Sequence, residues 1–300
     1  MEEKAERQII SYLEKLKALN YTVDDYKKGQ YNFYSFLYDG DRKAKLTVYY
    51  GKNGIKTFLQ GDTSQSFTNS INSIIGLENP VAPSTEFNEP DEYIGTDESG
   101  KGDYFGPLVV AGVYLDKENQ KKLREIGVRD SKEISDSQIK ILAARINRII
   151  KDNYNIILIT PNTYNKLHLQ MKNVNRILGW AHAKVIENIL EKTQVPEAIS
   201  DKFGDEKLIL SSLQTKGKSI KLSQFTRAER YVAVAAASVL ARKKFIDWFS
   251  SSKEKYNFEL PKGASSEVIK KGKEFVTRMG KEKLNEIAKI HFKTTKQILN

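Results

Sequence analysis

Two patterns of apolar and polar positions divide the 300 residues. Over 4–19, Ile9, Leu13, Leu16 and Leu19 recur at helical spacing and predict an amphipathic helix. Four strand-like runs follow at 21–26, 31–38, 44–50 and 55–59, parted by Lys-Gly, Asp-Gly-Asp and Lys-Asn-Gly turn sequences. A closing helix is expected over 64–75. Helix, four-stranded meander and helix leave one sheet face open. From residue 93 the pattern alternates strand and helix. Strands are expected at 93–97, 108–115, 154–159 and 198–201. Helices are expected at 135–151, 174–192 and 229–250, with two more at 265–279 and 280–290. Between the two patterns, Pro80, Pro83 and Pro90 stand among Asn, Ser, Thr and four glutamates, a linker composition. The reading is therefore a small α+β domain at 1–78, a linker at 79–92, and an α/β domain with a helical C-terminal tail at 93–300.

Composition narrows the chemistry. The net charge is +11 and the sequence pI about 9.4, which favours a polyanionic partner. The charge is uneven, with a net −1 over 1–90 and +12 over 91–300. Inside the small domain, however, residues 27–56 hold seven basic and two acidic residues. Tyr31, Phe33, Tyr34, Phe36, Tyr38, Tyr49 and Tyr50 are interleaved with them. Strand alternation commits at least half of these rings to a core; the others, with the lysines, form a candidate nucleic-acid platform. The chain has no cysteine, which excludes disulfides, zinc–thiolate sites and cysteine nucleophiles. That suits a reducing cytoplasm. The charged N-terminal segment predicts no signal peptide, and no apolar run approaches a bilayer span. No exposed apolar heptad stands out, so a monomer is expected.

The candidate chemistry begins at residues 94–115. An apolar run ends in Asp97 and Glu98, a glycine turn follows (Ser99, Gly100, Lys101, Gly102), and Gly106-Pro107 opens a second apolar run. Carboxylates at a strand end can ligate hard cations. Glycines let backbone amides approach a phosphate or sugar. Asp201 ends another short strand, a frequent site position in α/β sheets. Glu229 is expected to open a helix that is apolar nearly all round, and a plain helix N-terminal acid would fit there equally well. Asp130-Ser131-Lys132 precedes the amphipathic helix at 135–151 and reads equally as capping and turn chemistry. The histidines, His168, His182 and His291, fall near none of these motifs.

Taken in order, Asp-Glu-Ser-Gly-Lys-Gly-Asp-Tyr-Phe-Gly-Pro-Leu-Val-Val-Ala from Asp97, Asp130-Ser131-Lys132, the strand-end Asp201, Arg227-Ala228-Glu229 and the run from Ala235 to Arg242 resemble the type 2 ribonucleases H. Lys101 and Glu229 fit the bacterial ribonuclease HIII branch, where the HII branch carries Arg and Asp. The resemblance implies a ribonuclease H-like mixed sheet flanked by helices, preceded by a TATA-binding-protein-like domain that binds substrate. It implies an endoribonuclease that cuts the RNA strand of RNA–DNA hybrids and leaves 5′-phosphate and 3′-hydroxyl ends. It places the catalytic and metal-binding acids on Asp97, Glu98, Asp201 and Glu229, with Mg²⁺ or Mn²⁺, two ions per site. Substrate contacts fall on Ser99, Gly100, Lys101, Gly102, Ser131 and Lys132. Leu260-Pro261-Lys262-Gly263-Ala264 resembles the family's C-terminal loop. The rivals are another metal nuclease on the same fold, such as a resolvase, or an HII-like enzyme that incises at single ribonucleotides; a binding protein on a dead nuclease fold, which would need a lost acid; and carboxylates that serve only as structural ion pairs with nearby Lys and Arg.

Overall fold

The computed structural model describes residues 1–39, 42–51, 54–61, 71–72, 74–76, 89–129, 131 and 134–300. The chain forms two compact units, Met1–Asn88 and Glu89–Asn300.

In the first unit, helix α1 (Glu2–Ala18) buries Ala5, Ile9, Tyr12, Leu13 and Leu16. They pack on Phe33, Leu37, Ala44, Leu46 and Val48 of an antiparallel sheet. The first strand-like run is broken into β1 (Thr22–Val23) and β2 (Lys27–Lys28), both of which pair with β3 (Asn32–Asp39). The sheet therefore has five strands where four were expected, continuing through β4 (Arg42–Gly51) and β5 (Gly54–Gly61). The expected closing helix lies largely outside the described residues, but Ile71 and Ile75 are buried in this core.

Alternation sends Phe33 and Leu37 inward and Tyr34, Phe36 and Tyr38 to the other face. Register sets Lys45 opposite Phe36 and Lys43 opposite Tyr38. Lys43 Nζ lies 4.2 Å above the Phe36 ring and Lys45 Nζ 4.1 Å above Tyr34. Tyr49 and Phe58 meet edge to face at 5.7 Å. Among the described residues, this second face is a grid of rings and lysines.

The second unit is built on a five-stranded mixed sheet. β6 (Tyr93–Ser99) lies between antiparallel β7 (Leu108–Leu115) and parallel β9 (Glu197–Asp201). β8 (Tyr154–Ile159) pairs with β7, and β10 (Lys221–Phe225) extends the other edge parallel to β9. β10 was not expected from sequence; Lys221, Ser223 and Gln224 break its apolar pattern.

Val109, Ala111, Val113 and Leu115 of β7 face one core, shared with α2 (Lys117–Glu125), α3 (Asp136–Ile150) and α7 (Val232–Tyr256). Leu108 and Val110 face the other, shared with α4 (Pro161–Met171) and α5 (Val174–Leu190). A short α6 (Lys207–Leu210) follows β9. Helix α7 is buried continuously from Val232 to Ala241. Its small residues let it lie close on the sheet: a Cβ on Gly95 would fall 2.3 Å from Val234 N.

Several boundaries differ from expectation: β6 runs on to Ser99 and α7 to Tyr256. Glu229 does not open α7. It sits in a 3₁₀ turn (Ala228–Arg230), and Tyr231 is extended before the helix begins. The expected helix at 280–290 is a 3₁₀ turn (Lys281–Lys283) and a single short helix, α9 (Leu284–Ile287). The tail also contains α8 (Ser266–Met279) and α10 (Lys293–Leu299). Of the expected linker, 79–88 lie outside the described residues. Glu89 belongs to the second unit, where it is paired with Arg124 and accepts from Val232 N at 2.7 Å at the start of α7.

Candidate active site

Sheet register brings the strand-end acids together. Thr96 pairs with Ser200 across the parallel β6–β9 ladder, so Asp97, near the end of β6, and Asp201, at the end of β9, lie one step on in neighbouring strands. Alternation then turns Asp97 toward α7 and Glu98 toward α5. Asp97, Glu98 and Asp201 line a cleft of about 410 Å³. Ser99, Gly100, Lys101, Gly102, Ser131, Ser238, Arg242 and Lys262 line it as well.

Asp97 is 8% exposed. Burial holds its carboxyl well above the usual carboxylate range, and the negative charges of Glu98 and Asp201 push the same way. A Ser238 hydrogen bond and the Glu98 amide, 2.7 Å from Oδ1, oppose this only in part. Asp201 Oδ1 accepts from Ala228 N at 3.0 Å. That bond ties the strand end to the turn carrying Glu229. Glu229 itself is half-buried and is not among the described residues that line the cleft.

His182 stands at the site, contrary to the expectation that no histidine lies near a motif. It is fully buried on α5. Nδ1 is 2.9 Å from Thr96 Oγ1 and 3.4 Å from Ser200 Oγ; Nε2 is 3.3 Å from Glu98 Oε2. Nε2–H donates to the Glu98 carboxylate, and Nδ1 shares a hydrogen bond with the Thr96 hydroxyl. Phe203 stacks on the ring, with centroids 4.8 Å apart.

The glycine turn is fixed by backbone geometry. Gly100 has φ +91°, and a Cβ there would fall 2.2 Å from Pro107 O, so only glycine fits. Lys101 Nζ rests 3.8 Å from Glu98 Oε1 and donates to Phe203 O at 3.4 Å. Behind the turn, Asp103 Oδ1 accepts from Gly263 N at 2.6 Å, and Tyr104 N donates to Gly263 O at 2.9 Å. The 260–264 loop is thereby bound to the cleft. Lys289, fully buried, donates to Asp103 O and Gly106 O, each at 2.7 Å.

On the opposite wall, Ser131 and Ser238 share a hydrogen bond of 2.8 Å. Arg242 donates to Ser131 O and pairs with Asp136 Oδ1 at 3.0 Å; Lys262 also pairs with Asp136. Lys132 lies outside the described residues. Ser238 and Arg242 were not singled out from sequence, although their i,i+4 spacing on a buried helix places them on one face.

The donor set has the chemistry of a hard-cation site: carboxylate oxygens whose mutual repulsion a cation relieves. Asp97, Glu98 and Asp201 fit that role by cleft position. Among the described residues, no three His, Asp or Glu side chains are already converged as a metal cluster.

The sequence profile of the Ribonuclease HII family matches residues 94–295. A ribonuclease HIII of Protochlamydia amoebophila is 42% identical over 74% of this chain and 75% of its own. The chain belongs to the bacterial ribonuclease HIII family. It is thus a ribonuclease H enzyme, with the mixed sheet and N-terminal stranded unit seen in related structures. Bst-RNase HIII in complex with Mn²⁺ superposes with a TM-score of 0.67 at 24% identity, covering 96% of this chain and 95% of that one. Aquifex aeolicus RNase H3 gives 0.56 at 26% identity, covering 95% and 96%. No helix among the described residues is long and apolar enough to cross a membrane.

Proposed function

We propose that this chain hydrolyses the RNA strand of RNA–DNA hybrids, leaving 5′-phosphate and 3′-hydroxyl ends, with two divalent cations held by Asp97, Glu98, Asp201 and Glu229. The observation that supports the reading is that Asp97, Glu98 and Asp201 line one cleft beside a glycine turn and a lysine. Mg²⁺ or Mn²⁺, when bound, would supply charge against the negative charge that develops on the phosphate and on the attacking and leaving oxygens.

The side chains and amides do the rest. Asp97 is held by the Glu98 amide and Asp201 by the Ala228 amide, so both carboxylates are oriented before cation binding. His182 orients Glu98. Lys101 rests on Glu98 and the Phe203 carbonyl; a phosphate entering the cleft competes for it. Amides of the 99–102 turn are assigned to reading a 2′-hydroxyl, which distinguishes RNA from DNA. Ser131 and Lys132 are assigned to the substrate backbone.

Cleavage of a uniform hybrid and of a DNA duplex with one embedded ribonucleotide, followed by end-group analysis, tests this reading. Metal-dependent cuts at many hybrid positions, with 5′-phosphate products and poor cutting at the single ribonucleotide, are expected. Efficient single-ribonucleotide incision would transfer the chain to HII-like behaviour.

His182→Ala should raise the Mg²⁺ concentration for half-maximal activity by about 10-fold to 100-fold, the usual effect of losing a group that orients a metal ligand. A metal titration in which only the plateau falls would contradict that role.

The open sheet of the first unit is assigned to hybrid binding, through Lys43, Lys45 and Lys56 against phosphates. Removing residues 1–85 retains Glu89 at the start of α7. It should raise KM for a long hybrid about tenfold at roughly 0.1 M salt, with kcat within about twofold. An unchanged KM would remove the first unit from substrate binding.

A further inference from the structure

We propose that the outer face of α3 is a second phosphodiester-binding surface, continuous with the cleft, which engages the hybrid backbone away from the cut. The inference rests on the hybrid-cleaving reading above.

Three observations carry it. First, α3 begins at the cleft: Asp136, its first residue, pairs with the cleft cations Arg242 and Lys262. Second, residues 137–151 hold Lys140, Arg145, Arg148 and Lys151 and no acid. The first three are exposed, as is Arg129, two residues before the cleft residue Ser131. Among the described residues, Arg129, Lys140, Arg145 and Arg148 have no acidic partner. By contrast, Asp136 is shared by two cations. Third, the surface is grooved. Arg129 and Arg145 flank a depression of about 280 Å³ between the end of α2 and α3. Lys140, Arg145 and Arg148 line a second one of about 370 Å³. Ile141, 57% exposed, separates the two rims.

The spacing suits a duplex. Ile141, Arg145 and Arg148 fall on one helical face, and Arg148 lies about 18 Å along the axis from Asp136 at 1.5 Å per residue. At roughly 3.4 Å per nucleotide that distance is about five base pairs. A hybrid seated in the cleft and running along α3 would place successive phosphates beside Arg145 and Arg148. Guanidinium groups suit this task, because they bind phosphate through paired N–H donors.

The test uses the full chain carrying Arg145→Gln and Arg148→Gln, two hybrids, and binding measured in EDTA at several salt concentrations. One hybrid is too short to leave the cleft; the other extends at least ten base pairs to each side. Expected are an unchanged melting temperature, unchanged cleavage and binding of the short hybrid, and weaker binding of the long one. The salt slope for the long hybrid should fall by about 2, close to one unit per lost phosphate contact. Equal binding of the long hybrid by variant and wild type would overturn the surface, and would favour an acidic protein partner for the same groove. Equal losses on both hybrids would also overturn it, by assigning the arginines to the cleft. Failure of the wild-type chain to cut the short hybrid with either metal would instead overturn the hybrid-cleaving reading.

Discussion

Asp97→Asn is expected to abolish hybrid cleavage and to raise the melting temperature in EDTA. The two effects share one cause. Asp97 is buried beside Glu98 and Asp201, so its folded pKa lies above its unfolded value. A group of that kind favours the fold fully below the unfolded pKa and loses that contribution as pH rises through the folded pKa. Asparagine imitates the neutral acid, keeps an oxygen for the Glu98 amide, and removes the repulsion. The variant should therefore melt higher than wild type near neutral pH, and the gap should close below about pH 4. Mg²⁺ or Mn²⁺ should raise the wild-type melting temperature more than that of the variant. Removing one carboxylate from the cation shell should cost several kcal/mol at the transition state, about 10³-fold or more in kcat/KM. Thermal melts at several pH values and single-turnover cleavage read these effects. A variant that is less stable in EDTA, or that retains activity within tenfold, would show that Asp97 is a structural acid.

Lys289→Met carries the second large effect. The Lys289 amine is buried, and burial brings its pKa down to about 7, with Asp103 opposing the shift. A neutral amine still has two N–H groups, enough for Asp103 O and Gly106 O. Because the folded pKa lies below the unfolded value of about 10.4, the unfolded chain binds the extra proton between these limits. The Lys289 contribution to stability therefore rises with pH from about 7 to about 10. Methionine keeps much of the volume but leaves the buried Gly106 carbonyl and the part-buried Asp103 carbonyl without this donor, at up to about 1–3 kcal/mol each. Relief of the amine's burial offsets part of that cost. A loss of about 2–4 kcal/mol corresponds to about 5–10 °C in melting temperature for a unit of this size. The loop 103–106 follows the glycine turn, so kcat should fall as well. An unchanged melting temperature, or an unchanged slope of stability against pH above 7, would contradict this reading of Lys289.

Much of the catalytic unit was legible because its central strands are buried on both faces and bounded by breakers. The expected strand at 108–115 coincides with the buried β7; β8, a partly buried edge strand, was legible at 154–159 from its apolar run at 156–159. The Asp97-Glu98 pair could be placed at a strand end for the same reason. Elements with mixed faces were not legible. Helix α2 buries only Gln120 and Leu123, and α4 only Pro161, Tyr164 and Asn165, so neither shows a helical apolar period. Long-range features were hidden for a different reason. His182 reaches Glu98 across 84 positions only because sheet register and α5 bring them together. Lys289 resembles any tail lysine until the tail packs over Tyr104 and Phe105. Glu229 was identified by motif, and its 3₁₀ turn, held by the Asp201–Ala228 bond, could not be read from an apolar helix pattern.

The most direct test of the central claim is anomalous scattering from crystals of the full chain soaked in Mn²⁺. The account predicts two peaks in the cleft, with Asp97, Glu98, Asp201 and Glu229 oxygens as ligands within about 2.5 Å. Peaks elsewhere, or a cleft without manganese at a concentration that supports cleavage, would contradict it.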